Sequence, residues 1–398
     1  MDSIQQHDKQ NYYNVYEKCL LLCGQWPYQK PRERLLYMSV ILTWILTVFV
    51  VQIAQFFVCE TLDCTLQTLP SHMVLWIVIV KLLTCYFNNQ KIKYLIEQLH
   101  ADWNILETEE EWEIMRRYAM DGRWYALLYV LYAYIGMSIF ASSALLPRIL
   151  DAMFPLNETR PLVMPCPAYY FVDETKYFYY KYFHLQIGGM VCVSGLVAHD
   201  CTFLTYVQHA CGLFAVVGFK FEHLLYKRNG TKKFLIDTSD DVYVKNIAFS
   251  IQAHQRTLRF VTLVEDTFSS SFAIQFLIIV IAMSCSLIQL SVEMQGDVME
   301  LIRYFLYFVG QLFHLVILSL QGQRLTDHSF ETHAKIYNGL WYNIPVKSQK
   351  LLLFAMTKST EFIFLSAGKI YILCLENFTL IMKTSVSYFT VMSSFSEP

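Results

Sequence analysis

Seven apolar runs set the organisation of this chain. They are Tyr37–Val58, Leu69–Phe87, Trp124–Leu146, Ile187–Phe219, Ser269–Leu290, Leu301–Leu320 and Ile370–Met392. A helix needs about 20 mostly apolar residues to cross a bilayer. The first, third and fifth runs meet this with no charged residue. The second carries Lys81 near one end, and the sixth carries Arg303 near one end. Long side chains in such places are expected to snorkel to the interface. The fourth run contains His199, Asp200 and His209 and is too long for one crossing, so its inner half is expected to leave the membrane as a continuous helix.

The distribution of Lys and Arg orients these runs. The stretches before the first run, between the second and third, between the fourth and fifth, and between the sixth and seventh hold 24 of the 31. The opposite side holds 4, namely Arg148, Arg160, Lys176 and Lys181. Positive residues stay cytoplasmic. The expected fold class is therefore an all-α membrane protein with seven transmembrane helices, a cytoplasmic N-terminus and an extracellular C-terminus. That is inverted relative to a G-protein-coupled receptor, and Asp121-Gly122-Arg123 precedes the third run where such a receptor would carry Asp-Arg-Tyr after it. Asn157-Glu158-Thr159 is a glycosylation acceptor on the side assigned outside, and Asn229-Gly230-Thr231 lies inside, where it should stay bare.

The segments divide as 1–36, a cytoplasmic N-terminal stretch; 37–219, four spans with a long outer loop at 147–183; 220–268, a cytoplasmic helical connection; 269–320, two spans; 321–369, cytoplasmic anchor helices; and 370–398, a seventh helix with an outer C-terminus. In the inner connections, Ile247, Ile251, Leu258 and Val261 recur at helical spacing, and Pro345 can start a helix. Leu351-Leu352-Leu353-Phe354 and Phe362-Ile363-Phe364-Leu365 are interrupted by Lys358 and Glu361. Such a segment is too charged to span and too apolar to face water. It packs on its own subunit's bundle or forms a subunit contact.

Composition agrees with a membrane protein: 55% of residues are hydrophobic and mean hydropathy is +0.34. The net charge of −2 says little, because charge is sorted by side. The first 34 residues are polar and basic, and the first apolar run is long enough to stay as an anchor. The 11 cysteines are scattered, with Cys59, Cys64 and Cys166 near the oxidising face; a disulfide from Cys166 to one of the other two fits that placement. No CxxC, HExxH or GxxxxGK[ST] pattern occurs, so no metal, cofactor or nucleotide is expected, nor a nucleic-acid partner. A membrane enzyme built on His199, Asp200 and His209 lacks a nucleophile and a metal partner.

The seventh run differs from the rest. It carries Glu376, Asn377, Thr379, Lys383, Thr384, Ser385, Ser387 and Thr390. Lipid-facing helices seldom tolerate so many polar groups. Thr384, Ser387, Val391 and Ser394 share one face. That face suits a water-filled path with a hydrophobic constriction; the alternative is a helix buried in its own bundle with its hydroxyls bonded to neighbours. Lys383 pairs with Glu376 or snorkels.

Here the residues resemble a known family. Ile336-Tyr337-Asn338-Gly339-Leu340-Trp341-Tyr342, Lys350-Leu351-Leu352-Leu353 and the closing Met382-Lys383-Thr384-Ser385-Val386-Ser387-Tyr388-Phe389 resemble the C-terminal third of insect odorant receptors. Tyr170-Phe171-Val172-Asp173, Glu174 and Lys176-Tyr177-Phe178 look like the second outer loop of hymenopteran members. The resemblance implies a subunit of a tetrameric, odorant-gated, non-selective cation channel in the dendrite membrane of olfactory neurons. Each subunit supplies one pore helix, and cytoplasmic helices form the main intersubunit anchor. The chain resembles a tuning subunit that assembles with the shared co-receptor. It ends in Val391-Met392-Ser393-Ser394 where the co-receptor has Val-Leu-Val-Gln. Val391 takes the gate position, and Phe395 takes the second constriction, where the co-receptor has Leu. A gustatory-type receptor of the same architecture is the alternative.

In that family the ligand pocket lies in the outer half, between the second to sixth spans. The corresponding candidates are Met73, Trp76, Gly136, Ser138, Ser142, Gly188, Cys192, Tyr304, Tyr307 and Phe308. Ordinary helix packing competes for most of them, and Gly188-Gly189 suits close helix contact. The inventory is apolar and aromatic with a few hydroxyls, which fits a small, neutral, largely apolar ligand.

Overall fold

The computed structural model describes residues 2–155, 160, 162–173, 175–224, 226–229, 232–235, 240–294, 296, 298–339, 341–361 and 363–396. Its helices are α1 (Asp2–Leu22), α2 (Pro31–Val58), α3 (Leu62–Phe87), α4 (Asn89–Trp103), α5 (Glu109–Ser142), α6 (Leu146–Met153), α7 (Phe178–Glu222), α8 (Asp240–Glu293), α9 (Val298–Asn338), α10 (Val346–Ser359) and α11 (Leu375–Ser396). Two short antiparallel ribbons interrupt them: β1 (Tyr226–Asn229) with β2 (Lys232–Leu235), and β3 (Ser366–Ala367) with β4 (Tyr371–Ile372). Asn157 lies outside the described residues, as do the side chains of Asn229 and Phe395.

Local chemistry sets several boundaries. Pro31 opens α2 in the first turn, where its missing N–H costs nothing. The Thr61 hydroxyl caps α3 by accepting from the Cys64 N–H, and Thr108 caps α5 by accepting from the Glu111 N–H. Three acidic residues, Glu109, Glu110 and Glu111, then fill the first turn of α5, where the helix dipole favours negative charge.

Helix α7 is the axis of the fold. It packs against α1, α2, α3, α5, α8 and α9. Every residue from Val197 to Gly218 is buried, so this half of the helix has no solvent or lipid face. Small residues let the neighbours come close. A side chain at Gly195 would press on Val78 and Leu82 of α3, and one at Gly212 would press on Met115 and Tyr118 of α5.

Six of the described helices are long and apolar enough to cross a membrane, those built on α2, α3, α5, α7, α8 and α9. Several of them overshoot any bilayer, α7 and α8 by the most. At about 1.5 Å per residue, the 45 residues of α7 run about 68 Å and the 54 of α8 about 81 Å. The fifth apolar run and the amphipathic stretch before it are thus one unbroken helix. The seventh run forms α11, which is not among the six; its polar residues lower its apolar weight.

Two sequence expectations are corrected. Lys81 does not snorkel: it is fully buried and ion-paired. The disulfide does not involve Cys166; it joins Cys59 to Cys64. Cys59 caps the end of α2 and Cys64 sits in the first turn of α3, so the tight turn between the helices brings the two Cα atoms to 5.5 Å. Cys166 stays a thiol that accepts a hydrogen bond from Gln52 Nε2 at 3.7 Å, and burial pushes it up to about 11.

Candidate functional site

The half of the bundle that the charge distribution assigns outside gathers some of the ligand candidates and disperses others. Tyr307 donates its hydroxyl to the Pro70 carbonyl at 2.6 Å, tying α9 to α3 just outside Met73. Its ring lies 6.1 Å from Phe140 of α5. Tyr304 is buried, and its hydroxyl accepts from Arg303 Nη2 at 3.0 Å. Arg303 also pairs with Glu300 and donates to the Met164 carbonyl at 2.8 Å, so it is held by the loop before α7 rather than free to snorkel. Phe308 is half-buried against the core, and Cys192 is buried. Gly136 borders open space: a Cβ there would meet no atom within 4 Å. Ser138 spends its hydroxyl on the Tyr134 carbonyl one turn back, at 2.7 Å.

Three candidates point elsewhere. Trp76 is 45% exposed on the α2–α3 seam, where its N–H donates to His72 Nε2 at 3.2 Å and its ring meets Phe49 edge-on. Ser142 is exposed at the end of α5. Gly188 faces the Val48 side chain of α2, so its missing side chain serves a helix crossing.

Along the side of the bundle, α11 lays Ile381 and Ser385 against α8 and its neighbours and leaves the opposite face uncovered. Ser284 of α8 donates to the Ser385 carbonyl at 3.0 Å. Ser387, Val391 and Ser394 are exposed and Thr384 is half-buried; Val391 is 50% exposed. The hydroxyls on this stripe turn back on their own helix: Thr384 donates to the Leu380 carbonyl and Ser394 to the Val391 carbonyl. They are not bonded to neighbouring helices. Lys383 is exposed on the same helix.

The apolar segment around α10 divides between two environments. Leu352 and Ala355 of α10 are buried with Phe221, Tyr243, Ile247 and Ile336. Leu353 and Phe354 stand 64% and 57% exposed, and Phe364 is exposed as well. Trp341 and Tyr342 lie exposed beside them, with Trp341 lining a shallow apolar recess against Phe221 and Ile344. One face of this segment packs on its own subunit and the other is left open.

A buried polar cluster between these regions escaped the sequence reading. Lys81 Nζ of α3 lies 2.5 and 2.6 Å from the two carboxylate oxygens of Asp200 on α7. Tyr129 of α5 donates to Asp200 Oδ2 at 2.6 Å, and His199 Nδ1 meets Oδ1 at 2.8 Å. His314 of α9 joins Tyr129 at 2.8 Å and Gln275 of α8 at 2.6 Å. His209 belongs to a separate group with Asp102, Arg256 and Tyr13, nine residues further along α7. The imagined acid–base set of His199, Asp200 and His209 is thereby split into two structural clusters. The signal that could have found the first was present: an ionisable residue inside a span marks a paired, functional position by default.

Comparison with known proteins decides the family. The sequence pattern of the 7tm Odorant receptor family matches residues 61–386. The chain belongs to the insect odorant receptors. Among curated relatives, Odorant receptor 85c of Drosophila melanogaster is 21% identical over 316 residues, covering 78% of each chain. Odorant receptor 63a of the same species is 22% identical over 242 residues, covering 59% of this chain and 56% of that one. The fold is similar to that of the insect olfactory receptor OR5 from Machilis hrabei in complex with eugenol, with a TM-score of 0.76 at 14% identity over 98% of this chain and 99% of that one. This receptor is thus a multi-pass membrane protein of a ligand-gated channel family, not an enzyme.

Proposed function

We propose that the receptor is a tuning subunit of an odorant-gated, non-selective cation channel. In this reading the N-terminus is cytoplasmic, α11 is the seventh span and the C-terminus is outside, as the 24-to-4 division of Lys and Arg favours. The subunit assembles with the odorant receptor co-receptor into a heterotetramer in the sensory dendrite. The observation that carries the reading is α11: a stripe of Thr384, Ser387, Val391 and Ser394 that its own subunit leaves uncovered. A water-filled path shared by several copies gives that stripe a partner, with Val391 as the constriction.

The exposed Leu353, Phe354 and Phe364 supply an intersubunit anchor of the kind an unpartnered apolar face requires. The ligand chamber lies around Tyr304, Tyr307, Phe308, Met73 and the open space at Gly136. These five positions carry neutral side chains, and the structural relative is in complex with eugenol, a small ligand. A small, largely apolar volatile is the ligand class. Burial of about 300 Å² of ligand gives roughly 7 kcal/mol at about 25 cal/mol/Å², which sets a limit of about 10 μM; association costs make binding weaker than that.

The test is whole-cell current from cells expressing the chain with and without the co-receptor, challenged with neutral volatiles while G-protein signalling is blocked. Ligand-evoked cation current that requires both subunits and changes in Val391→Ala is the expected result. Surface expression of both subunits with no current from any volatile would overturn the reading.

A further inference from the structure

The buried cluster around Asp200 occupies a defined level in the bundle. On α3, Lys81 lies eight residues inward of Met73; on α5, Tyr129 lies nine inward of Ser138. On α7, Asp200 lies eight inward of Cys192, and on α9, His314 lies seven inward of Tyr307. At about 1.5 Å per residue each step is about 10–14 Å. Four separate helices therefore place their polar group at one depth beneath the candidate ligand residues. The cluster is the floor of that chamber.

The bonding around Asp200 is saturated. Oδ1 accepts from Lys81 and His199, and Oδ2 accepts from Lys81 and Tyr129, which fills the roughly four acceptor positions of a carboxylate. Tyr129 spends its one proton on Asp200, so His314 Nδ1–H donates to the Tyr129 oxygen and His314 Nε2 accepts from Gln275. A displacement of α3, α5 or α9 cannot be absorbed by a spare bond at this hub.

From the hub an aromatic row leads to the start of α11. Lys81 Nζ stands 5.9 Å from the Phe272 ring of α8. Phe272 stacks on Phe276 at 6.2 Å, and Phe276 meets Tyr371 at 4.8 Å. Tyr371 lies in β4, four residues before Leu375 opens α11. The hairpin holding Tyr371 is fixed to α8, since the Gly368 N–H donates to both the carbonyl and hydroxyl of Ser269.

We propose that Asp200 is a positioning residue for gating: its carboxylate joins the floor of the ligand chamber to the base of α11 through Phe272, Phe276 and Tyr371. This rests on the ligand-gated reading above. A ligand that fits the chamber better when the floor has shifted favours whichever α11 position accompanies that shift. Spatial continuity alone does not establish coupling, so the test measures it directly.

The variants are Tyr129→Phe, which deletes one hydroxyl between Asp200 and His314, and Phe276→Leu, which breaks the aromatic row. Both singles and the double are expressed with the co-receptor, and surface level is measured alongside. The agonist is whichever of eugenol and a panel of neutral volatiles opens the wild-type channel. Half-maximal concentration is expected to shift in each single, and the double is expected to depart from the product of the single shifts by about fivefold or more. Multiplicative shifts at normal surface level would overturn the proposal and leave the channel reading intact.

Absence of current in the wild type would instead remove the channel reading. Amide exchange then decides the coupling on the purified assembly. In Tyr129→Phe, exchange at residues 371–375 is expected to rise about fivefold or more while that of α4 stays unchanged. Unaltered exchange at 371–375 would overturn the coupling.

Discussion

Replacing Lys81 with Met separates the burial of a charge from the shape of the side chain that carries it. Met is close to Lys in length and is apolar, so little packing is lost. What remains is the Asp200 carboxylate, fully buried, with Tyr129 and His199 as donors but no cation. Unit charges about 4 Å apart attract by about 4 kcal/mol at an effective dielectric of about 20. Removal of one partner from a buried pair costs about 3–5 kcal/mol, in agreement. Against a typical stability of about 5–15 kcal/mol this is a large fraction. Lys81→Met is expected to lose most surface-labelled receptor and to lower the aggregation midpoint of detergent-solubilised protein. Removing both charges in Lys81→Met with Asp200→Leu should recover much of the loss, since a neutral apolar pair carries no desolvation penalty. The Tyr129 and His199 hydrogen bonds are forfeited, at about 1 kcal/mol each. Wild-type stability in Lys81→Met would refute the reasoning, as would a double variant less stable than either single.

Three further outcomes follow from the geometry. A methyl group at Gly322 of α9 would collide with the carbonyl oxygen of Leu373, whose N–H is committed to the Leu365 carbonyl at 2.9 Å, so the backbone cannot yield freely; Gly322→Ala is expected to cost about 1–3 kcal/mol and to reduce maximal current at unchanged agonist sensitivity, read from concentration–response curves normalised to surface level. Cys59→Ser opens a short disulfide loop and should destabilise the outer α2–α3 turn by about 2 kcal/mol, whereas Cys166→Ser keeps an acceptor for Gln52 and should change the thermal midpoint little; equal effects would contradict the assigned pairing. Burial lowers the His254 imidazole from its ordinary value of 6.5, so the folded state takes up its proton less readily than the unfolded one; stability from this group is complete above about pH 6.5 and is lost as pH falls below it, and His254→Gln should flatten the acid side of a melting-temperature profile.

How much of this was legible in the sequence depended on the range of the interaction. Apolar periodicity is local, and six of the seven runs became long apolar helices. Helix continuity was harder to read. Glu265 and Asp266 interrupt the apolar pattern between the inner connection and the fifth run, yet charge does not break a helix, and α8 passes straight through. The disulfide was misjudged because the turn between α2 and α3 is tighter than the gap between two apolar runs suggests. Trp76 and Gly188 were chosen by their height along α3 and α7, but rotation about the axis sends Trp76 outward and Gly188 towards Val48. Position along a helix was readable; the direction faced was not.

The polar cluster shows why a helix-by-helix treatment of membrane charges fails. Taken alone, Lys81 near the end of an apolar run has one cheap solution, which is to reach for the interface. Its partner lies 119 residues away. Once Asp200 is on the neighbouring helix, leaving would strand a carboxylate in a region where Val197 to Gly218 has no exposed face. The pair is then cheaper buried than separated, and the helices that carry it are held at one depth. A charge that contributes nothing to the apolar count of its own run thereby sets the relative height of α3 and α7. In the coupling proposed above, the same group stands between the ligand chamber and α11, so a small vertical shift there is passed on to α11.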